Sequence, residues 1–404
     1  MSKSIWFLNH YSYPNNVYPH QRTNNYARLF QRDGYQVRVF CASQVHRTSI
    51  NLITDRKFYV EVEEDIPFTV IRTRDYKGNG INRVLNMIEF FIGFLKSAKN
   101  YQQPDIIVST IVHPLAPLAA LLYGRKRDIL LVTETADLWP ETLVSFGLLQ
   151  RFNPITSSLY LLERFVYNNS DKLIFTMEGY KDYLNSKSFP QSVIKKSLYL
   201  NNSMNCEELN SSEDLIQLNG DVEKIKFLYF GSLGEANAVE TMIEFIIMTN
   251  EIIPNQCEFH IFGHGEKKAL FENMGHFENV KLYHSIQKSR LSNVAKQCDF
   301  LFLFTKANPL YRYGYSANKL FDYLCLKKPV IHNFFGEYDI VTKYNVGYRF
   351  SFDMEVEKDS FLQFVNNHKT SKNNMHEYET KFQELNREYG INHQYDKLKE
   401  FLLR

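Results

Sequence analysis

The sequence has few of the features that mark exported or membrane-spanning proteins. Its five cysteines are scattered, with no C-x-x-C pair and four of them inside apolar runs, so we expect reduced core residues. No apolar stretch approaches the roughly 20 residues that a membrane span needs, and the opening MSKSIWFLNHY lacks the apolar core of a signal peptide. We therefore expect a cytoplasmic protein that does not cross the bilayer.

An excess of charge of one sign is also nearly absent, because the formal net charge is only +2. The two halves nevertheless differ. Residues 1–205 carry 24 Lys and Arg against 17 Asp and Glu, and the remainder carries 23 against 28. The basic half suits an anionic substrate, a nucleic acid or an anionic membrane surface, and it is equally compatible with a merely solvated surface.

Short apolar runs alternate with amphipathic stretches along the chain, which is typical of βα units that build parallel sheets. A chain of 404 residues favours two domains. The polar segment NNSMNCEELNSSEDLIQLNGD indicates the boundary between them. We predict an α/β protein with two Rossmann-like domains, at 1–205 and 206–375, and C-terminal helices at 376–404. If the two domains face each other, their cleft suits a nucleotide diphosphate.

The expected elements follow from these apolar periods. Strands are predicted near 4–9, 36–41, 68–72, 105–109, 129–133, 172–176 and 197–201, then near 226–230, 257–262, 280–282, 299–304, 329–332 and 347–350. Helices in the first half are predicted near 21–33, 81–100, 114–124, 154–168 and 178–186.

An unusual acidic stretch, TETADLWPET, follows the fifth of these strands. Ligands bind at the carboxyl ends of parallel strands, so carboxylates here lie where a site is expected. Asp137 is the first candidate catalytic residue and Glu134 the second, while Glu141 caps or flanks the next helix. A capping role for Asp137, with Pro140 in the first helical turn, is compatible with function.

Two glycine turns in the second half lie between a strand and a helix. FGSLG contributes Gly231, Ser232 and Gly234, and FGHGE contributes Gly263 and Gly265. Glycines there let backbone N–H groups approach a phosphate at a helix N-terminus. Plain tight turns are the alternative. The occurrence of a glycine turn in two neighbouring βα units favours the phosphate interpretation.

The segment YRYGYSANKLFDYLCLKKPVI has a helix expected to begin near Ser316. It would place Lys319 and Asp322 three residues apart on one face. A carboxylate can accept two hydrogen bonds from ribose hydroxyls, and a nearby ammonium can hold a diphosphate. An ordinary helical ion pair is the simpler alternative.

These motifs together resemble the family 4 glycosyltransferases, in particular the bacterial branch that builds O-antigen and capsule repeat units. The resemblance rests on IWFLNHYSYP, YKGNGINRVLNMIEFF, DLWPE, FGSLG, FGHGE and NKLFDYLCLKKPV, in this order from about residue 4 to 350. It implies a GT-B fold, with the donor nucleotide held mainly by the C-terminal domain, and a last helix that often crosses back. It also implies retaining transfer with no required cofactor or metal.

The same resemblance assigns residues of the donor site and exposes departures from the family pattern. Asp322 lies where the family usually has a ribose-binding Glu, Lys319 matches a family lysine, and Asn318 replaces a common Ser. The first of two paired acids would fall at Gly314, and Tyr313 and Arg312 are the candidates to replace it. The family's Arg and Lys pair after the first glycine turn is absent, which leaves Lys288, Lys319, Arg22 and the backbone amides of Ser232–Gly234 to neutralise the diphosphate.

Further candidates come from the first half of the chain. Arg22 begins the first helix, after a loop with His20, and is either a phosphate ligand or an exposed helix-start arginine. His113 follows the fourth predicted strand, where a lone histidine is either structural or catalytic. The stretch RVLNMIEFFIGFLKSAKNY combines apolar residues with Arg83, Lys96 and Lys99. It suits a helix on an anionic bilayer or a packed domain helix.

We therefore expect a retaining glycosyltransferase that moves a sugar, from a UDP-sugar if the resemblance holds, to a polyprenyl-diphosphate-linked saccharide. We expect peripheral contact with the inner face of the cell membrane through the basic first domain, and no nucleic-acid partner. One alternative is a nucleotide-sugar epimerase of the same two-domain plan, which would form product from the donor alone. Another is a noncatalytic nucleotide-sugar-binding partner, which the departures at Gly314 and at the missing cation pair favour.

Overall fold

The protein was analysed as a computed structural model, which describes residues 3–17, 21–209, 216–234, 237–274, 277–370 and 372–404. It divides into two compact units. The first runs to Asn201 and also includes Tyr395–Arg404, and the second is Asn202–Gln394. The last ten residues therefore return to the first unit, whereas residues 376–394, which were expected to form a third segment with them, belong to the second unit.

The first unit is built on an eight-stranded sheet. Its strand order is β3-β4-β2-β1-β5-β6-β7-β8, and all neighbours are parallel except β3 and β4. The strands are β1 (Ser4–Leu8), β2 (Gln36–Ala42), β3 (Tyr59–Glu63), β4 (Pro67–Ile71), β5 (Ile106–Ile111), β6 (Leu130–Thr135), β7 (Lys172–Phe175) and β8 (Ser197–Tyr199). The central strand β5 is buried along its whole length, as expected when both faces of a parallel sheet are covered.

Helices connect these strands, and all but the two short helices Glu141–Ser145 and Gln191–Lys195 lie where the apolar periods predicted them. They are α1 (Arg22–Arg32), α2 (Ile81–Ser97), α3 (Leu115–Gly124), α4 (Glu141–Ser145), α5 (Pro154–Asn169), α6 (Tyr180–Ser186) and α7 (Gln191–Lys195). Local sequence explains the start of α5, where the Asn153 side chain accepts a hydrogen bond from the Ile155 N–H and Pro154 occupies the first turn.

The second unit contains a six-stranded, all-parallel sheet with the order β11-β10-β9-β12-β13-β14. Its elements are α8 (Cys206–Leu209), β9 (Ile225–Phe230), α9 (Val239–Ile252), β10 (Cys257–Phe262), α10 (Lys268–Glu272), β11 (Val280–Tyr283), α11 (Leu291–Ala295), β12 (Phe300–Leu303), α12 (Asn318–Cys325), β13 (Val330–His332), α13 (Ile340–Lys343) and β14 (Gly347–Arg349). Three helices follow, α14 (Met354–Thr370), α15 (Lys372–Tyr389) and α16 (Ile391–Leu403). The prediction of an α/β protein with two parallel-sheet domains is confirmed.

The high aromatic content of the sequence is used in the cores. In the second unit, phenylalanine rings from neighbouring strands and helices pack on one another, as with Phe227 and Phe259, whose centroids are 5.1 Å apart. In the first unit, Trp6 of β1 packs between Phe40 of β2 and Phe94 of α2. Such pairs add about 0.5–1.5 kcal/mol each beyond their buried area.

The end of α16 is held on the first unit by aromatic and charged contacts. The Tyr395 ring packs edge-on against Phe30 of α1, with centroids 4.9 Å apart. Its hydroxyl donates a hydrogen bond of 2.7 Å to Asp33, which also pairs with Lys399. This clamp joins the C-terminus to α1.

The expectation of five reduced cysteines is wrong for one pair. Cys206 of α8 and Cys325 at the end of α12 form a disulfide, whereas Cys41, Cys257 and Cys298 are free and buried. The two bonded residues lie 119 positions apart, so sequence spacing gave no indication of the pairing. No helix in the described ranges is both long and apolar enough to cross a membrane.

Each sheet has one reversal point, at which the connections that leave two neighbouring strands run to opposite sides of the sheet. In the first sheet this point lies between β1 and β5, and in the second between β9 and β12. Ligands of doubly wound sheets bind in the crevice beyond the carboxyl ends of the strands at this point. The residues that follow these four strands are therefore the first place to look for a site.

Candidate functional site

The first glycine turn of the second unit follows β9, at the reversal point of that sheet. Gly231 has φ +144°, a conformation that other residues rarely adopt. A Cβ atom on Gly231 would lie 2.4 Å from Lys319 Nζ and 2.6 Å from Lys319 Cε. The positive φ therefore favours glycine here, and a larger residue would also displace the lysine side chain that lies against the backbone of the turn.

Lys319 projects from the first turn of α12 into this glycine turn. Its ammonium donates hydrogen bonds to the Tyr229 hydroxyl at 2.9 Å and to Asn237 Oδ1 at 2.8 Å. Burial lowers the pKa of Lys319 to about 8, and the charge of Asp322 opposes that shift. The family's cation pair is missing from the sequence after Gly231, but a cation from α12 occupies the same turn in space.

Asp322 lies one helical turn after Lys319 and forms the second charged group of the cluster. Lys288 Nζ approaches its two carboxylate oxygens at 3.1 and 3.0 Å. The Asp322 side chain is only 18% exposed, and burial raises its pKa while Lys288 and Lys319 act in the opposite direction. Lys319, Asp322 and Lys288, three predicted donor-site residues, are therefore brought together.

The second glycine turn packs against the first. A Cβ on Gly263 would lie 2.3 Å from the Gly231 carbonyl oxygen, and one on Gly265 would lie 2.4 Å from the Leu233 carbonyl oxygen. The Leu233 N–H is used by the His264 carbonyl at 2.7 Å. Close packing of the two turns thus explains both glycines without a ligand, and it removes one of the backbone amides expected to face a phosphate. The phosphate role of this turn stays a prediction.

The remaining donor-site candidates surround α12. Asn318 is exposed at the first position of the helix, and Ser232 Oγ accepts a hydrogen bond from Asn237. Gly234 lies farther along the same turn, with open space around it. Tyr313 is buried at 4% exposure, and its hydroxyl accepts a 2.6 Å hydrogen bond from Arg312.

Two histidines meet at the reversal point of the first sheet. His10 follows β1, His113 follows β5, and His113 Nε2 lies 2.9 Å from His10 Nδ1. His10 Nε2 in turn lies 2.8 Å from Asn86 Oδ1 of α2. Both rings are fully buried. Burial lowers the pKa of His113 to about 3 and moves that of His10 well below its usual value.

The direction of these hydrogen bonds fixes which nitrogen of each neutral ring carries the proton. The Asn86 amide nitrogen donates to the Arg74 carbonyl at 2.6 Å, so its oxygen faces His10 and accepts from His10 Nε2. His10 Nδ1 is then an acceptor, and His113 Nε2 donates to it. His113 Nδ1 is left as a buried acceptor with no hydrogen-bond donor among the described residues. His113 is thus suited to accept a hydrogen bond and is not a general acid at neutral pH.

Asp137 follows β6, next to β5 in the sheet, and it remains solvent-exposed. The surrounding protein raises the pKa of its carboxyl by desolvation although part of the residue reaches the surface, and the Arg83 guanidinium acts in the opposite direction. The helix that follows begins only at Glu141 and has Pro140 at its N-cap. The capping alternative for Asp137 is therefore wrong, and its carboxylate is left for another use.

Arg83 is a functional candidate that the sequence interpretation named only as part of a helix suited to an anionic bilayer or to packing within the domain. Its charge influences His113, His10 and Asp137, and its guanidinium donates to the Tyr11 hydroxyl at 3.3 Å. The only signal in the sequence was its position in YKGNGINRVLN, at the start of α2. Tyr229, Asn237, His10 and Asn86 were missed as well, because contacts between distant segments decide their roles.

Arg22 and Glu134 are directed at each other. Arg22 Nε lies 2.8 Å from Glu134 Oε1, and the other guanidinium nitrogens donate to the carbonyls of Leu200 and Asn201. Glu134 also accepts from Thr110 at 3.0 Å. This pairing gives both residues a structural role at the carboxyl ends of β5, β6 and β8, and we do not carry Arg22 into the phosphate site.

Two further residues named from the sequence are Glu141 and His20. Glu141 flanks α4 as expected, buried and held by Lys187, Arg151 and the Tyr160 hydroxyl. His20 lies outside the described residues. No group of three potential metal ligands occurs within the described ranges.

Comparison with known proteins gives a family match for part of the first unit. Residues 19–195 match the model of the glycosyl transferase 4-like domain. The matched segment, which is less than half of the chain, is similar to that family. The His113 pair, Asp137 and Arg83 all belong to it, whereas the Lys319 cluster lies beyond the matched residues. Among curated proteins, none matches the sequence.

Solved structures extend the likeness from the glycosyl transferase 4-like domain to the whole chain. Sucrose-phosphate synthase from Thermosynechococcus elongatus matches with a TM-score of 0.67 at 13% identity, covering 98% of both chains. WaaG, a glycosyltransferase involved in lipopolysaccharide biosynthesis, matches with a TM-score of 0.64 at 14% identity, covering 99% of both chains. HepE of Anabaena, solved with UDP, matches with a TM-score of 0.64 at 10% identity, covering 99% of both chains. The predicted GT-B fold is confirmed, and the family model supports glycosyltransferase activity.

Proposed function

We propose that this protein is a retaining glycosyltransferase that takes its sugar from a nucleotide-diphosphate donor, with UDP as the nucleotide. The single observation that carries the proposal is the cluster of Lys319, Asp322 and Lys288 beyond the reversal point of the second sheet. Two ammonium groups beside a largely buried carboxylate match a diphosphate next to a ribose. HepE, a protein of similar fold, was solved with UDP and with UDP-glucose, which supports this choice.

In this proposal each donor-site residue contacts a different part of the nucleotide. Lys319 and Lys288 neutralise the diphosphate, and Asp322 accepts hydrogen bonds from the ribose hydroxyls. The exposed amide of Asn318 and the backbone of Ser232 and Gly234 complete the phosphate surroundings. Lys319 also supplies the cation that the sequence lacks after Gly231, and this argues against the noncatalytic alternative.

The first domain would orient the acceptor and the transferred sugar. In a retaining transfer without a covalent intermediate, the leaving phosphate can accept the proton of the incoming hydroxyl, and the protein mainly positions charge. Asp137 would orient that hydroxyl, and Nδ1 of His113, which is buried in the structure, would accept a hydrogen bond from a sugar hydroxyl once substrate binding moves the side chains that cover it. Arg83 would meet an anionic part of the substrate. Glu134 would act only indirectly, through Arg22.

The acceptor in this proposal is a polyprenyl-diphosphate-linked saccharide of bacterial surface polysaccharide synthesis, reached by peripheral contact of the first domain with the membrane. The excess of Lys and Arg in residues 1–205 supports an anionic, lipid-borne acceptor. WaaG supports it as well, since it has a similar fold and a role in lipopolysaccharide biosynthesis.

The test is turnover of a panel of nucleotide sugars with and without a lipid-linked saccharide. Transfer should require both substrates, and the anomeric configuration of the donor sugar should be retained in the product. Product from the donor alone would indicate an epimerase. Binding of UDP in calorimetry without turnover on any acceptor would indicate a noncatalytic binding protein, and absence of UDP binding would reject the donor site.

A further inference from the structure

Helix α2 presents apolar side chains to solvent as well as to the core. Ile81, Val84, Ile88 and Ile92 are exposed at 70%, 46%, 38% and 41%, and their spacing of three and four residues places them on one face. The opposite face is buried through Met87, Phe90 and Phe94. A surface helix normally carries polar residues on its outer face, so this stripe requires an explanation other than packing within the domain.

A second group of exposed apolar residues surrounds the start of α5. Phe146 and Leu148, between α4 and α5, are 55% and 56% exposed, and Phe152 is 93% exposed. On α5 itself, Leu161 is 69% exposed, together with Ile155 at 62%. Large apolar residues gathered in this way mark an interaction site more often than chance exposure does.

Both groups lie on the same side of the first sheet. The crossovers from β4 to β5, from β5 to β6 and from β6 to β7 all advance in one direction across the sheet. Such crossovers are right-handed, so α2, α3 and α5 cover the same face. Contacts of α3 with α2 and with α5 agree, and Leu122 of α3 is itself 42% exposed. The three helices therefore form one layer with an apolar outer surface.

The charged residues in this layer are mostly basic. Exposed or half-exposed cations lie at the end of α2, after α3, and around the start and middle of α5, as Lys96, Lys99, Arg125, Lys126, Arg127, Arg151 and Arg164. Of the acidic residues on these segments, Glu89 pairs with Arg74, Glu141 and Glu163 are buried, and Asp128 is exposed. The surface is thus complementary to a negatively charged partner.

We propose that the outer surface of α2, α3, α5 and the segment 146–152 docks onto an anionic phospholipid bilayer. Apolar side chains would enter the headgroup region while the surrounding cations meet lipid phosphates. A symmetric contact with a second copy fits less well, because it would place the same cations opposite one another. The inference deepens the membrane contact of the proposed function by naming the surface, and it does not depend on sugar transfer.

The test is co-sedimentation of the full chain with vesicles of phosphatidylcholine, alone or mixed with phosphatidylglycerol. One variant combines Ile88→Gln with Ile92→Gln, and another combines Phe152→Ser with Leu161→Gln. The matched control is Val222→Ser with Phe335→Ser, which removes apolar residues exposed at 86% and 58% in the second unit. We expect wild type and control to bind the anionic vesicles, and each surface variant to bind about tenfold or more weakly.

Several results would overturn the proposal: no binding of wild type to anionic vesicles, equal binding by the surface variants, or stronger loss in the control. A dimer in light scattering that the surface substitutions abolish would assign the surface to a second copy instead. UDP calorimetry on every variant serves as the folding check. It also separates the two proposals, because normal UDP binding without vesicle binding refutes only the docking surface, and the reverse result refutes only the donor site.

Discussion

Lys319 makes donor binding sensitive to pH in a way that can be calculated. Its pKa is about 8 because the ammonium is buried against the glycine turn after β9, and only the charged form neutralises a diphosphate. At pH 7 most of the free protein carries the proton, whereas at pH 9 only about one molecule in eleven does. UDP affinity should therefore fall about tenfold between pH 7 and 9, or about 1.4 kcal/mol.

Isothermal titration calorimetry measures this effect directly. Bound diphosphate raises the pKa of Lys319, so binding near pH 8 should take up a proton, and the observed enthalpy should vary with the ionisation enthalpy of the buffer. Lys319→Met is the control, because it keeps any titration of the nucleotide itself and loses that of the lysine. Equal affinity of wild type at pH 7 and 9, or the same pH slope in Lys319→Met, would refute the assignment.

The same pKa has a consequence for stability with a definite sign. The unfolded chain holds its lysine proton up to the ordinary value of 10.5, and the folded chain releases it near 8. Between these values the unfolded state binds more protons, so the free energy of unfolding should rise with pH. Denaturant unfolding of wild type should show this rise from pH 8 to 10.5 relative to Lys319→Met, and parallel curves would contradict the pKa.

The remaining predictions concern single side chains of the two units. Asp322→Ala should weaken UDP binding by about 1–3 kcal/mol, measured by calorimetry, and unchanged affinity would remove it from the site. Asp137→Asn should lower turnover far more than UDP affinity, and normal turnover would leave the residue without a catalytic role. Gly231→Ala should displace Lys319 and cost about 1–3 kcal/mol of stability through backbone strain, which a thermal melt of the variant would show as a lower Tm. His10→Phe should lower kcat while leaving UDP affinity intact, because His113 then loses the acceptor that fixes its tautomer, and wild-type kcat would argue against the histidine pair.

Much of the fold could be predicted because apolar runs of fixed length recur along both halves. The strands around Phe7, Val108 and Phe259 were expected within a residue or two of where they lie. The antiparallel strand Tyr59–Glu63 was missed, since it is half exposed and its pattern YVEVE contains as many acids as valines. Its pairing with β4 is a tertiary contact that local sequence does not encode.

The site was predictable only in part, for a related reason. Lys319 and Asp322 share a helix face, so their spacing indicated that they act together. Lys288 was also named as a donor-site candidate, and it lies next to Asp322 in the structure. The acceptor His113 Nδ1 results from a chain through His10 and Asn86 that joins residues far apart in sequence. The ion pair of Arg22 was not foreseen because nothing nearby in sequence reveals its partner Glu134, which is 112 positions away.

The return of α16 to the first unit affects how the protein can be divided for experiments. A fragment ending at Asn201 would keep every strand of the eight-stranded sheet, but Phe30 would lose one of the aromatic rings that pack on it and Asp33 would lose two hydrogen-bond donors. Such a fragment would expose an apolar surface on α1 that the last helix covers in the full chain. A first-domain expression product should therefore carry residues 395–404 through a designed linker, and a tag fused after Arg404 is attached to the first domain despite following the second in sequence.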